Sequence, residues 1–425
     1  METRTRKKVK YYSGQEWVLF MMKCIMLFFF LFQIHFKGFP SWLGSEQISI
    51  IILSIILLLG NIRFKIKHTE VHLSIRKTLA LIAFLFVYSI FALIKTKSYG
   101  IQGNSYLYTY CVFTAVIIFI GSYGFQYIFK DIEEFFEALR LVTLLQAVCI
   151  IIFLVFPSIQ NIANVLFNTS EIYSKYTYGY HTGIGVAEAK GAMKMVPGLA
   201  ACLYFSFIKK NSTKYILSYL CIMVSSTLLA RTGFIFGIVG LFILILGLRK
   251  QTSKLLKIIV SSVIVGIICA VFIFVDKEQI LHHFSRLSSL YFEFKNGGIF
   301  NITFFQKYFG IGSENVFPGL TKETIFGTGI ISGISGNRLK FITDGGYLKL
   351  YAAVGFPITV ISYLLILIYL VKPTKNIKDH YLKYTLYFLI IYIFLGEFKE
   401  VHIFFGYPIC IAFTLELLYE KSVKC

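Results

Sequence analysis

The sequence predicts an all-α, polytopic integral membrane helix bundle with about twelve transmembrane helices, both termini cytoplasmic, and an external cap formed by two long loops. Three observations carry that prediction. Only 15% of the 425 residues are charged and 57% are hydrophobic, whereas a soluble domain has roughly 25% charged residues. The apolar residues come in long runs, many near the roughly 20 needed to cross a hydrocarbon core of about 30 Å. The short connections between the runs are alternately rich and poor in Lys and Arg, as cytoplasmic and external loops should be.

Taken in order, the runs place spans at residues 17–36, 44–62, 78–94, 106–129, 138–157, 195–208, 214–230, 232–248, 255–275, 346–371, 381–396 and 402–419. The first follows the basic Arg4-Thr5-Arg6-Lys7-Lys8 and lacks a small-residue cleavage site, so it reads as a retained span. The third follows a basic stretch from Arg63 to Lys77, and Lys130 with Arg140 marks the entry to the fifth. The sixth is short. The seventh and eighth lie in one apolar stretch, Tyr215 to Leu248, too long to cross once. Ala230-Arg231-Thr232-Gly233 divides it. That division keeps Arg249, Lys250, Lys254 and Lys257 on the same side as Lys209, Lys210, Lys214, Lys372, Lys375, Lys378, Lys421 and Lys424. Much of the net charge of +21 is therefore orientation signal rather than a nucleic-acid footprint.

The whole chain, 1–425, reads as a single membrane domain. Its eight cysteines, at 24, 111, 149, 202, 221, 269, 410 and 425, fall almost entirely inside spans, which implies no disulfide framework. No inverted repeat is visible.

Two external segments remain, 158–194 and 276–345. The larger opens with Ile280, Phe284, Leu287, Tyr291 and Phe294, a spacing of four and three that makes one apolar helical stripe. Gly297-Gly298 ends it. Such a helix lies on the outer membrane surface or caps the bundle. The glycine-rich backbone from Gly297 to Gly346 is either a flexible loop or a close approach to a ligand. Gly310-Ile311-Gly312-Ser313-Glu314-Asn315 lacks the strand and helix of a dinucleotide site. Tyr173, Tyr176, Tyr178 and Tyr180 in the first loop anchor at the interface or stack on sugar rings.

Four segments in this order resemble the bacterial O-antigen polymerase and O-antigen ligase superfamily, polytopic glycosyltransferases often called Wzy and WaaL. Gly191-Ala192-Met193-Lys194-Met195-Val196-Pro197-Gly198 is similar to the family's entry into a central helix after an external loop. Ser225-Ser226-Thr227-Leu228-Leu229-Ala230-Arg231-Thr232-Gly233 resembles its Ser-Arg-small-Gly hairpin, with Ala230 where Ser is usual. Phe309-Gly310-Ile311-Gly312 resembles a segment of its large loop. Asp344-Gly345-Gly346-Tyr347-Leu348 and Ala353-Val354-Gly355-Phe356-Pro357 are similar to the re-entry into the membrane. Glu188 stands where many members carry Arg, and Lys190 or Lys194 is the substitute cation. Asp344-Gly345 replaces the His-Asn pair of ligases, as in polymerases.

The resemblance implies a polysaccharide polymerase in the bacterial plasma membrane, acting at its outer face. It would transfer a glycan from undecaprenyl diphosphate to a sugar hydroxyl of another lipid-linked repeat unit, in a host that also supplies a flippase and a chain-length regulator. Such transfer needs cations to hold the diphosphate as charge develops and a carboxylate or His to take the hydroxyl proton. Arg suits the first task because its planar fork binds phosphate oxygens bidentately.

Arg231 interrupts an apolar stretch and either clamps diphosphate or merely snorkels between two helices. Arg286, on the polar face of the loop helix, is the second candidate clamp. Arg338 and Lys340 flank the re-entry segment as diphosphate or acidic-sugar contacts or as solvated charges. Asp344 is the candidate base, with a helix cap as its other reading, and Glu314 is its substitute. Glu397, Lys399, Glu400 and His402 crowd the last external turn as substrate contacts or as partners of one another. His282-His283 has no third ligand at metal spacing, and no Asp-x-Asp motif occurs, so transfer is expected to need neither metal nor cofactor. The alternatives are ligase-type transfer and a lipid-linked oligosaccharide flippase or transporter. A transporter would want charges within its spans, which read as nearly charge-free apart from Lys23 and Lys349.

Overall fold

The computed structural model describes residues 14–36, 40, 43–59, 70–97, 103–166, 183–185, 188–249, 251–254, 256, 258–260, 325–332 and 345–424. Among them the protein is an all-helical bundle of a multi-pass membrane protein. Six helices are long and apolar enough to cross a membrane, and four more are apolar with 10–17 residues. Helices suit this setting because each satisfies its own backbone where no water can.

The chain runs through α1 (Gly14–Phe32), α2 (Ser45–Leu59) and α3 (Glu70–Lys97), then α4 (Leu107–Ile128), whose middle widens into a π turn at Ile117–Gly121. Helix α5 (Ile132–Val155) starts sharply because the Asp131 carboxylate accepts from the Glu134 N–H at 2.8 Å. Helices α6 (Pro157–Leu166), α7 (Glu188–Lys194) and α8 (Val196–Ile208) follow, then the hairpin of α9 (Thr213–Leu229) and α10 (Arg231–Leu248). Ala230 is extended, with φ −162° and ψ 156°, so the long apolar stretch is indeed divided there. The hairpin closes tightly: a Cβ on Gly233 would lie 2.3 Å from the Ser226 carbonyl oxygen.

Residues 105–106 and 330–332 pair as a two-stranded antiparallel ribbon. Helices α11 (Gly346–Val354), α12 (Phe356–Asn376), α13 (His380–Gly396) and α14 (Tyr407–Lys424) complete the bundle. Asp379 caps α13 by accepting from the N–H groups of Tyr381 and Leu382.

Helix α8 is the central element. From Ala189 to Phe207 every side chain except that of Lys190 is buried, and α8 packs against α5, α9, α10 and α13. Small residues permit this closeness, since lipid gives no hydrophobic drive between helices and contact must come from packing. A Cβ on Gly198 would lie 1.8 Å from the Thr143 hydroxyl of α5. The opposite character appears outside: Trp17, Met22, Phe84, Phe91, Phe242 and Ile368 are exposed large apolar side chains, as a lipid-facing surface requires.

Helix ends gather at two faces. At one, Lys130 pairs with Glu16, Lys209 with Glu133, and Lys421 donates to the carbonyls of Gln126 and Phe129. At the other, the Ser45 hydroxyl accepts from the Ile34 N–H, Thr114 donates to Phe404 O, and Gly346 N–H donates to Glu397 O.

Four readings of the sequence need correction. The span at 346–371 is two helices, because Gly355 adopts φ +82° and a Cβ there would sit 1.9 Å from Ile325 O. The sixth span is not short, for α7 runs into α8 through Met195 and brings Lys190 and Lys194 out of the proposed loop 158–194 into the bundle. The last span begins at Tyr407, leaving His402 in the preceding turn. The spans are also not nearly charge-free: Glu46, Glu134, Arg140, Lys194 and Glu416 are buried in them. Most of the ninth span, 255–275, lies outside the described residues, as do the loop helix and Tyr173 to Tyr180.

Candidate functional site

The turn from Glu397 to Gly406 brings two polar groupings to the second face. Glu397 is fully buried at the end of α13. Its carboxylate accepts from the Ile403 N–H and, at 2.8 Å, from the Tyr363 hydroxyl of α12. Its carbonyl accepts from Gly346 N–H at 2.7 Å, so one residue ties the starts of α11 and α12 to the end of α13. Burial pushes the Glu397 carboxyl up to about 8, against the opposing pull of these two donors and of Lys349. Lys349 itself pairs with Glu400 at 3.5 Å. This half of the turn is a brace.

Five residues further on, His402 faces the other way. Its ring lies 4.5 Å from Tyr392, 5.7 Å from Tyr407 and 6.0 Å from Phe405, edge-on to each. It is completely buried, and neither ring nitrogen has a hydrogen-bond partner. Burial, reinforced by the nearby Lys194 ammonium, lowers its affinity for a proton to a value of about 3, so the ring is neutral.

Lys194, at the end of α7, is 2% exposed and its ammonium has no hydrogen-bond acceptor. It lies 5.6 Å over the Tyr407 ring, while Lys190, one turn earlier, lies 5.2 Å over Phe405. The Phe405 and Tyr407 rings are stacked, which spaces the two cations along one wall. The wall is fixed by hydroxyls: Tyr392 donates to Met193 O at 2.7 Å and shares a 2.8 Å hydrogen bond with Tyr407. With the single Tyr392 proton given to the carbonyl, Tyr407 must be the donor in the second bond. The carboxylate that balances Lys194 is Glu46 of α2, 5% exposed and within electrostatic range of it. Ser45, beside it, anchors the corner by donating to Phe29 O.

Of the residues singled out in the sequence, Lys190, Lys194 and His402 are thus brought together. Glu397 is near them in sequence but serves the brace, and Lys399 lies half-buried between the two groupings. Arg231 starts α10, which packs against α7, so its backbone lies at this face. Asp344, Arg286, Glu314, Arg338 and Lys340 lie outside the described residues. The cap of α11 is Gly345 rather than Asp344. Glu46, Tyr392 and Tyr407 were missed. The available signal was Glu46 itself, a carboxylate in an otherwise apolar run, since an ionisable residue within a span is functional by default.

Buried cations without acceptors beside a neutral imidazole form a place that lacks oxygen acceptors. An anion supplies them. No family model, curated protein or solved structure matches the chain.

Proposed function

We propose that the protein is a membrane glycan polymerase, transferring a glycan from a polyisoprenyl diphosphate to a sugar hydroxyl of another lipid-linked unit. In this reading the chain spans the bacterial plasma membrane twelve times, with both termini cytoplasmic and the Lys190–Lys194–His402 face outward. The single observation that carries it is the meeting of Lys190, Lys194 and His402 at one end of the bundle, buried cation and imidazole alike without partners in the protein. Arg231 at the start of the neighbouring helix adds a further cation at the same level.

The acceptor hydroxyl oxygen attacks the anomeric carbon. The bond from that carbon to the diphosphate oxygen breaks, and its electron pair leaves on the diphosphate. Lys190, Lys194, Arg231 and Arg286 stabilise that growing charge. The hydroxyl proton goes to Asp344. Cations already held in place cost no reorganisation as the charge appears.

A proteoliposome assay with lipid-linked oligosaccharide tests this. Wild-type protein is expected to yield a ladder of polymer on a gel. Lys194→Met and Arg231→Ala are each expected to lower the rate by a factor on the order of 10²–10³, the scale for losing one preorganised charge-stabilising donor. Full activity in both variants would refute the clamp.

A second reading, a lipid-linked oligosaccharide flippase or transporter, is favoured by the buried titratable groups Glu46, Lys194 and Glu416 within the spans. Movement of labelled lipid-linked units across the bilayer without polymer would select it.

A further inference from the structure

Glu46 has no role in the transfer just described, yet it is buried opposite the unpartnered Lys194. The two are close enough to interact, but the Lys194 ammonium makes no hydrogen bond to it or to any other group. A buried, directly paired carboxylate would be the cheapest arrangement for such a lysine. Instead the pair stands apart, with His402 also offering unpartnered nitrogens at the same place. Ligand-free, the pair is neutral overall.

We propose that Glu46 is a displaceable counter-ion, which balances Lys194 in the empty site and takes up one proton when a phosphate or diphosphate anion occupies the space beside Lys194 and His402. The inference rests on the anion-binding reading of this site given above. An anion oxygen accepts from the Lys194 ammonium and from a His402 N–H, satisfying atoms that now have no partner. Its charge, added to that of Glu46, would leave the site net negative in a poorly polarisable interior, where like charges repel strongly. Protonation of Glu46 removes that repulsion and conserves charge: one proton enters from solvent for each anion bound.

The groups that face Glu46 define which of them responds. From α7 come Lys194 and, beyond it, Lys190; from α14 come Tyr407 and Cys410. His402 comes from the turn, and His35 from the α1–α2 corner, where it lies against Gly44. The cations already carry their protons, and Tyr407 is committed as a donor to Tyr392. The choice is therefore between the Glu46 carboxylate and an imidazole.

The experiment is calorimetry on the full-length protein in nanodiscs, near pH 7, in two buffers of different ionisation enthalpy. The probes are inorganic pyrophosphate and a short polyprenyl diphosphate. Wild type is expected to take up about one proton per anion. Glu46→Gln is expected to bind about tenfold tighter or more, because a nearby like charge is gone, and to take up none. Glu46→Asp should keep the uptake, which separates the charge from the fold. Lys194→Met should lose binding. Binding of the polyprenyl probe alone assigns the anion to a lipid headgroup, and equal binding of pyrophosphate assigns it to a free anion; either supports the counter-ion if uptake vanishes in Glu46→Gln. Unchanged uptake in Glu46→Gln, uptake lost only in His402→Gln, weaker binding by Glu46→Gln, or no binding of either probe to wild type would each overturn it. Polymer formed by a preparation that binds neither probe would leave glycan transfer standing without the counter-ion, whereas coupled binding without polymer would leave the counter-ion without glycan transfer.

Discussion

Glu397 shows how a single residue can look catalytic in sequence and prove to be a brace. Its carboxylate is fully buried and its two oxygens accept from Ile403 and Tyr363. Burial raises its folded-state value from 4.5 to about 8. The folded protein therefore prefers the protonated acid, while the unfolded chain ionises in the ordinary glutamate range. Stability is expected to fall as pH rises from 4.5 to about 8 and then to level off. Thermal unfolding in detergent across that range checks this, and Glu397→Gln should flatten the decline. Glu397→Leu should instead unfold at a lower temperature at every pH, since it leaves the Ile403 N–H and Tyr363 O–H unpaired at about 1–3 kcal/mol each. A Glu397→Leu variant as stable as wild type would show that the brace is not needed.

At the level of elements, close approach rather than apolar length decides where helices begin, end and touch. The re-entry segment reads as one span by hydropathy, but Gly355 at φ +82° breaks it into α11 and α12. Gly355→Ala is expected to destabilise by about 1–3 kcal/mol, both from the left-handed backbone and from the clash with Ile325 O at 1.9 Å. Gly198→Ala makes a parallel case within α8, where the new methyl meets the Thr143 hydroxyl at 1.8 Å and its Cβ at 2.5 Å. That overpacking should also cost about 1–3 kcal/mol. Because Thr143→Ala removes only the hydroxyl and methyl, the double variant should recover part of the loss. Unfolding temperatures of the four proteins decide it; simple additivity would mean that the two helices do not meet at these residues.

For the molecule as a whole, the two faces of the bundle carry the orientation. Lys97 is exposed at the end of α3, and Lys375 is exposed at the end of α12 on the opposite face. A membrane-impermeant maleimide on intact cells is expected to label Lys97→Cys and to reach Lys375→Cys only after permeabilisation. The reverse pattern would turn the protein over and put the Lys194 face on the cytoplasmic side, where transfer between exported lipid-linked units cannot occur.

By itself, the sequence determined the class of the molecule and the position of most helices. Runs such as Ile132–Val155 and the division at Ala230 follow from apolar length and local breaks, which act within one segment. It also marked Lys190, Lys194 and His402 as chemically notable. Only the tertiary structure decided which of these meet. Lys194 and His402 are more than two hundred residues apart, and their shared surroundings depend on α7 entering the bundle beside the turn before α14. The same folding separates Glu397 from His402 although five residues divide them, and brings in Glu46 from the second helix. Hydropathy measures each residue's preference for lipid or water. It carries no information about which distant side chain will share the same buried space, and that pairing is what gives a buried charge its chemistry.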